Sequence, residues 1–242
     1  ASDLLGLIYP PKCLICNRHQ RSAQTALLCE DCLAEIAALP LPEEGWFDKL
    51  NVVPHDRGLD RAIAGWRYDA HMQQVIHAMK YQRRPSLSQV LGSMLAQRLA
   101  SFLNEEHAHA VLVPVPLHRR RARERGFNQS LLLARALAKS WNLSVQPRAV
   151  QRIRFTKSQA TLDATARWEN VNGAFAPAPN LDLQGRLIFL IDDVFTTGAT
   201  MNACASALKT AGTSRVIGIA LAKAGFESVM PQSAVENGAQ SS

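Results

Sequence analysis

Residues 187–200 read LIFLIDDVFTTGAT: five consecutive large apolar side chains, two adjacent carboxylates, then a run of small and hydroxylated residues. An apolar run without alternation offers no face to water, so it predicts a strand buried on both sides. Strands of that kind belong to parallel sheets covered by helices on both faces, and the runs at 110–115 (AVLVPV) and 216–222 (VIGIALA) repeat the pattern. The intervening segments carry helical periodicity. Met72, Val75, Ile76 and Met79 fall at i, i+3, i+4 and i+7, and Leu87, Val90, Leu91, Met94, Leu95 and Phe102 continue in much the same way. Residues 128–141 form a third helical stretch, and 200–211 a fourth with Met201, Cys204, Ala205 and Leu208 on one face. Cys204 is thereby assigned to the core, and His77 to a helix surface. The expected fold is α/β, a parallel sheet with helices on both faces.

In an open parallel sheet, ligands sit outside the carboxyl ends of the strands, so Asp192 and Asp193 are delivered to the ligand crevice. Thr196, Thr197, Gly198, Ala199 and Thr200 then open a helix, where unpaired N–H groups, the helix dipole and three hydroxyls favour one anion. Gly198 lets the backbone approach closely. No lysine stands in this turn and no G-x-x-x-x-G-K-[ST] occurs, which argues against a nucleoside triphosphate loop. A phosphoaspartyl hydrolase wants D-x-D, which is absent here. An acidic pair beside a phosphate cradle can take the two hydroxyls of a ribose, or hold Mg2+ against them; the ligand read from these residues is a ribose 5-phosphate. The plainer alternative is an N-capped helix whose acids meet solvent.

Four of the five cysteines come as Cys13-x2-Cys16 and Cys29-x2-Cys32. Two such turns close a tetrahedral thiolate shell of the kind Zn2+ favours, with no open position for water, so the metal is expected to be structural. A redox pair would want a thioredoxin-like context, and disulfides an oxidising compartment. His19 could replace one sulfur, although four cysteines suffice.

Five arginines occupy the seven positions 119–125, within VPVPLHRRRARERGFNQ after another strand end. Guanidinium forks suit a diphosphate or a nucleic-acid backbone equally. Arg120, Arg121 and Arg123 are candidates for such contacts, with Arg125 and Gly126 preferred because they are expected to open the helix starting at Phe127 and Asn128. A solvated basic loop is the alternative reading.

The segment hhhhDDhxTTGxT resembles the phosphoribosyl-diphosphate (PRPP) motif of type I phosphoribosyltransferases. By that resemblance Asp192 and Asp193 contact the ribose hydroxyls, and Thr196, Thr197, Gly198, Ala199 and Thr200 hold the 5′-phosphate. The paired cysteines, HAMKY at 77–81, the basic segment, QATLDATARWENVNGAF at 159–175 and LIDDVFTTGAT occur in the order of the ComF family, which the chain resembles over all but its last residues. The resemblance implies a type I phosphoribosyltransferase-like domain behind a zinc knuckle, binding PRPP with Mg2+, and a link to competence and imported DNA. It puts Gln159, Arg167 and Asn170, with Lys157 just upstream, on a loop that closes over the site; an amphipathic connector whose Arg and Asn bind neighbouring backbone is the alternative reading. Many relatives place a Gly after K-Y where this chain has Gln82-Arg83-Arg84, so Lys80 is expected to stand behind the site rather than in it.

The organisation expected is a knuckle at 1–36, a proline-bearing linker at 37–58, the main domain at 59–226 and a patternless tail at 227–242. Apolar residues at 47% and charged residues at 19% exclude fibrous and wholly disordered classes. The apolar runs are too short to cross a bilayer, and the first residues do not resemble a secretory leader, so a cytoplasmic protein is expected. A net charge of +7 favours anionic partners. Beside a nucleotide-salvage or regulatory role without DNA, two functions remain open. One is a binding module that senses PRPP while its arginines and knuckle contact single-stranded DNA or the uptake machinery; the other is a Mg2+-dependent phosphoribosyltransferase of nucleotide metabolism. No residue identifies an acceptor or a catalytic acid or base.

Overall fold

The computed structural model describes residues 12–19, 27–39, 58–81, 85–154, 170–179 and 181–224. The tail, most of the linker, and Lys157, Gln159 and Arg167 of the expected closing loop lie outside these residues. The elements in chain order are α1 (Glu30–Ala38), β1 (Arg61–Arg67), α2 (Ala70–Tyr81), α3 (Pro85–Arg98), β2 (Val111–Pro114), α4 (Arg119–Arg125) and α5 (Gln129–Trp141). They continue with β3 (Ser144–Val145), β4 (Val150–Arg152), β5 (Phe175–Pro177), β6 (Leu187–Phe195), α6 (Ala199–Thr210) and β7 (Arg215–Lys223).

Five strands form one parallel sheet in the order β1-β7-β6-β2-β3, while β4 and β5 pair antiparallel in a small second sheet. The unbroken apolar run of β6 divides between two cores. Phe189 and Ile191 face the layer built from α2, α3 and α5, with Met72, Leu87, Leu91, Leu133 and Leu137. Ile188 and Leu190 face the other layer, where α6 contributes Met201, Cys204 and Leu208 and the small sheet contributes Val150 and Phe175. Each such side chain removed from water stabilises the fold by about 1.5–3 kcal/mol, which is why these central strands have no polar face. The expected fold class, a parallel sheet with helices on both faces behind a small four-cysteine unit, is the one present.

Three local expectations are corrected. The sheet has a strand, β1 (RAIAGWR), that periodicity did not reveal; Arg at both ends and a central Gly65 hide a segment whose five inner residues are buried. Strand β6 runs on past Ile191 to Phe195 because β7 continues beside it, with Asp192 opposite Ala220 and Phe195 opposite Lys223. The acidic pair therefore lies within the last residues of a strand. Finally, the arginine-rich stretch is the helix α4 and not a loop. His118 caps it by accepting from Arg120 N at 3.2 Å, and Gly126 closes it at φ +80°, a conformation few side chains tolerate. Arg125 and Gly126 thus end one helix rather than open the next, and neither stands at an anion-attracting terminus. Helix α5 starts at Gln129, capped by Asn128, whose side chain accepts from Ser130 N at 3.0 Å.

The cysteine unit is docked on the sheet. Cys13, Leu28, Cys32 and Ile36 belong to the same buried cluster as Trp66 of β1 and Met72 of α2. Trp66 Nε1 donates to Ile36 O at 2.8 Å. Arg98, at the end of α3, donates to Gly65 O at 2.6 Å, to Ala37 O at 3.1 Å and to Leu39 O, so one guanidinium satisfies the carbonyls at the end of α1 and ties them to β1. Among the described residues no helix is long and apolar enough to cross a membrane.

Candidate functional site

Asp192 and Asp193 emerge at the carboxyl end of β6 into a cleft of about 330 Å³. Its walls come from eight places in the chain: Tyr68 after β1, Lys80 of α2, residues 115–117 after β2, Arg121 and Arg125 of α4, Gln129 and Ser130 of α5, Arg152 of β4, residues 192–196 with 198–201, and Ala224. Thr196, Gly198, Ala199 and Thr200 of the expected phosphate turn line this cleft together with the acidic pair. Thr197 does not line it; its hydroxyl turns back to accept from Ala199 N at 3.4 Å. Gly198 sits at φ +78°, and a Cβ there would lie 2.7 Å from Phe195 Cζ, so the turn is pressed onto that ring and a glycine is required.

The two carboxylates differ. Asp192 Oδ1 accepts from Ser130 Oγ at 3.0 Å and from Asp193 N at 2.9 Å. Burial, then the charge of Asp193, pushes its carboxyl up to about 7, against the pull of Lys80 and Ser130. Asp193 is buried and its Oδ2 lies 2.6 Å from Lys80 Nζ, with no further hydrogen-bond donor among the described residues. Burial alone would lower the Lys80 ammonium, but the charge and hydrogen bond of Asp193 outweigh it and hold Lys80 above its ordinary range. Lys80 therefore stands in the site, touching an acid, and not behind it.

The basic segment is split by its helix. Arg121 and Arg125, four residues apart, share the face turned to the cleft, whereas exposed Arg119, Arg120 and Arg123 do not line it. Arg120 pairs with Glu124 at 3.0 Å on the surface, and Gly126 is exposed outside the cleft. Sequence reasoning did not find Arg152, Ser130 or Gln129. Arg152 lies over the Phe175 ring at 5.3 Å, and burial lowers its guanidinium, followed by the charge of Arg121. Gln129 lines the cleft, is only 2% exposed, and its Oε1 has no hydrogen-bond partner among the described residues. Asn170 is described apart from this lining: its carbonyl accepts from Arg154 at 3.1 Å. Cys204 is buried beneath the site and burial pushes its thiol up, as a core residue should behave.

The second candidate centre is the cysteine cluster. The Sγ atoms of Cys13, Cys16, Cys29 and Cys32 all lie within 4.8 Å of one another, and Cys16 and Cys29 are 3.6 Å apart. Zn–S bonds of about 2.3 Å in a tetrahedron give S···S edges of about 3.8 Å, so the cluster could hold a metal such as zinc. Cys13 N donates to Arg18 O at 2.9 Å and Asn17 takes φ +57°, closing the first turn; Cys29 begins the second as the N-cap of α1. The backbone and guanidinium of Arg18 bring Cys16 down to about 6, while burial and hydrogen bonds from the other three thiols push Cys32 up. Four crowded sulfurs cannot all ionise unaided, and a dication removes the conflict. His19 pairs by backbone with Lys12 and is not among the clustered ligands.

No family model matches the chain. The chain is 31% identical over 209 residues to the DNA utilization protein YhgH of Escherichia coli strain K12, covering 84% of this chain and 86% of that one. It is 26% identical over 223 residues to competence protein F of Haemophilus influenzae, covering 88% and 97%. With competence protein ComFC of Bacillus subtilis it shares 29% identity over 148 residues, 61% of this chain and 57% of the relative. Among solved structures, a hypoxanthine phosphoribosyltransferase from Staphylococcus aureus is 14% identical over 57% of this chain and 64% of its own, at a TM-score of 0.37. The protein TT1426 of Thermus thermophilus is 15% identical over 58% and 84%, at 0.35. Overlaps this loose add nothing to what the strand order itself shows. The match to YhgH covers most of both chains at an identity sufficient for common descent: the chain belongs to the ComF family, with DNA utilization protein YhgH and competence protein F.

Proposed function

We propose that the cleft binds a ribose 5-phosphate bearing further anionic charge, with PRPP and Mg2+ the fullest match, and that the protein serves the uptake or use of imported DNA. One observation carries the reading: the acidic pair and the turn at 196–200 bound the same cleft, which also collects Arg121, Arg125 and Arg152. In this assignment Asp192 and Asp193 accept from the ribose hydroxyls, the N–H groups and hydroxyls of the turn take the 5′-phosphate, and the arginines take the remaining phosphates. The donor set suits Mg2+ as a companion of the ligand, because Mg2+ is usually held by one or two carboxylates plus ligand phosphates. When bound it would neutralise diphosphate charge. Zn2+ is the metal proposed for Cys13, Cys16, Cys29 and Cys32, as a structural ion.

The names of the relatives support the DNA role, and the exposed guanidiniums of Arg119, Arg120 and Arg123 offer single-stranded DNA a phosphate contact outside the cleft. An active phosphoribosyltransferase is the alternative, supported by the same cleft; no residue of the site is assigned a catalytic role. Calorimetric titration with PRPP and Mg2+ tests the reading. Binding that Asp192→Asn with Asp193→Asn abolishes supports it, and equal binding by that variant rejects it. Metal-dependent release of diphosphate on adding a panel of bases and amines would establish the enzyme; none across the panel leaves the binding module.

A further inference from the structure

Adjacent carboxylates at a strand end would ordinarily attract any divalent cation, and a cleft that keeps them for a ribose phosphate, the reading on which this inference rests, must discourage that. Here Lys80, the penultimate residue of α2, brings Nζ to 2.6 Å from Asp193 Oδ2, with side chains only 21% and 9% exposed. Asp192 Oδ1 is already taken by Ser130 Oγ and Asp193 N. Around them the cleft places Arg121, Arg125 and Arg152, so four cationic side chains face two carboxylates. A free dication entering this space would meet net positive charge and would have to displace an ammonium from a desolvated pair. A sugar hydroxyl carries no charge and needs only an acceptor, while a phosphorylated ligand brings its own anions to these cations.

We infer that Lys80 is a positioning residue, the counter-ion that closes the acidic pair to free divalent cations and keeps it for sugar hydroxyls, so that a metal enters only with an anionic ligand. The ion pair also fixes the Asp193 carboxylate before any ligand arrives. Removing the ammonium while keeping the length of the side chain should convert the pair into a bare dication site.

Mn2+ is the probe, followed by the loss of its free paramagnetic resonance signal on adding the full chain. The wild-type protein should leave the signal unchanged with Mn2+ alone and diminish it once ribose 5-phosphate is added. Lys80→Met should take up one Mn2+ per chain without ligand, at least about tenfold more tightly than wild type. Asp193→Asn in that background should abolish the uptake, and Lys80→Arg, which restores the charge, should exclude Mn2+ again. Wild-type uptake of Mn2+ alone, abolished by Asp193→Asn, would overturn the inference, as would a folded Lys80→Met protein that takes up none. If Lys80→Met fails to melt cooperatively, the wild-type comparison of Mn2+ with and without ribose 5-phosphate decides alone. Uptake by Lys80→Met, with no ligand effect on either protein, would keep Lys80 as the counter-ion that excludes dications but reject the ribose-phosphate reading and the entry of metal with ligand.

Discussion

The cysteine cluster and the cleft both converge polar atoms on a ligand-sized space, but they are assembled in opposite ways. The cluster draws four identical donors from two tight turns within 20 residues, and its geometry is settled by Cys-x2-Cys spacing and the cap of α1. The cleft draws unlike groups from α2, α4, α5, β4 and β6, brought together because a parallel sheet delivers strand ends to one edge and the small second sheet adds Arg152 beside them. A local site stands or falls with its ligand ion. A site built on a sheet keeps its frame when its polar groups are changed, because that frame rests on Phe189, Ile191, Leu133 and their neighbours. Changes in the cluster should therefore act on stability, and changes in the cleft on binding.

The largest effect should follow loss of the metal. Cys13→Ser with Cys32→Ser should remove one zinc per chain by elemental analysis and abolish amide-exchange protection across α1, since zinc supplies about 10–16 kcal/mol to isolated finger-sized units. The docked contacts of Ile36 with Trp66 would go with it, lowering the melting temperature. Retained protection of α1 without metal would erase the contrast between the two regions.

Within the cleft the expected effects are smaller and concern affinity. Arg121→Ala with Arg125→Ala should weaken PRPP binding about 100-fold or more, from two charge-assisted hydrogen bonds worth about 1.5–3 kcal/mol each. Arg120→Ala with Arg123→Ala should change it less than about twofold, because these residues do not line the cleft. Their effect should appear instead in the affinity for single-stranded DNA and its salt dependence. Equal loss of PRPP binding in both variants would mean that α4 does not divide its cations.

A further effect is on pH. The Asp192 carboxyl is raised to about 7 in the folded protein, against about 3.9 when unfolded, so the native state holds the extra proton between those values. Stability should accordingly fall as pH rises through that window and level off above about 7, and Asp192→Asn should flatten this slope in melting curves. The groups that face Asp192, namely Asp193, Lys80, Ser130, Arg152 and Cys204, remain in that variant, so a slope left unchanged would assign the titration elsewhere.

The same contrast governs how much was legible in the sequence. Central strands β6 and β7 declare themselves because burial on both faces leaves them uniformly apolar, and the cysteines because their ligand geometry is local. Strand β1 was hidden: at the sheet edge its burial is completed by α3 and by the cysteine unit, and arginines bound it. Asp192, Asp193 and the turn were legible because strand, acids and helix start are contiguous. Ser130, Gln129 and Arg152 were not, since their roles depend on which strand ends become neighbours. Lys80 offered one signal, a lysine in the last turn of an otherwise amphipathic helix, and only the Asp193 contact gives it meaning. The arginine run misled because seven residues with five like charges disfavour a helix until His118 and Gly126 cap it and Glu124 pairs with Arg120.

A crystal structure of the full chain with ribose 5-phosphate is the direct test of one ligand shared by the acids and the turn. The sugar hydroxyls should lie within hydrogen-bond distance of Asp192 and Asp193, and the phosphate against the N–H groups of residues 196–200. A phosphate bound elsewhere, or an unchanged cleft at saturating ligand, would contradict it.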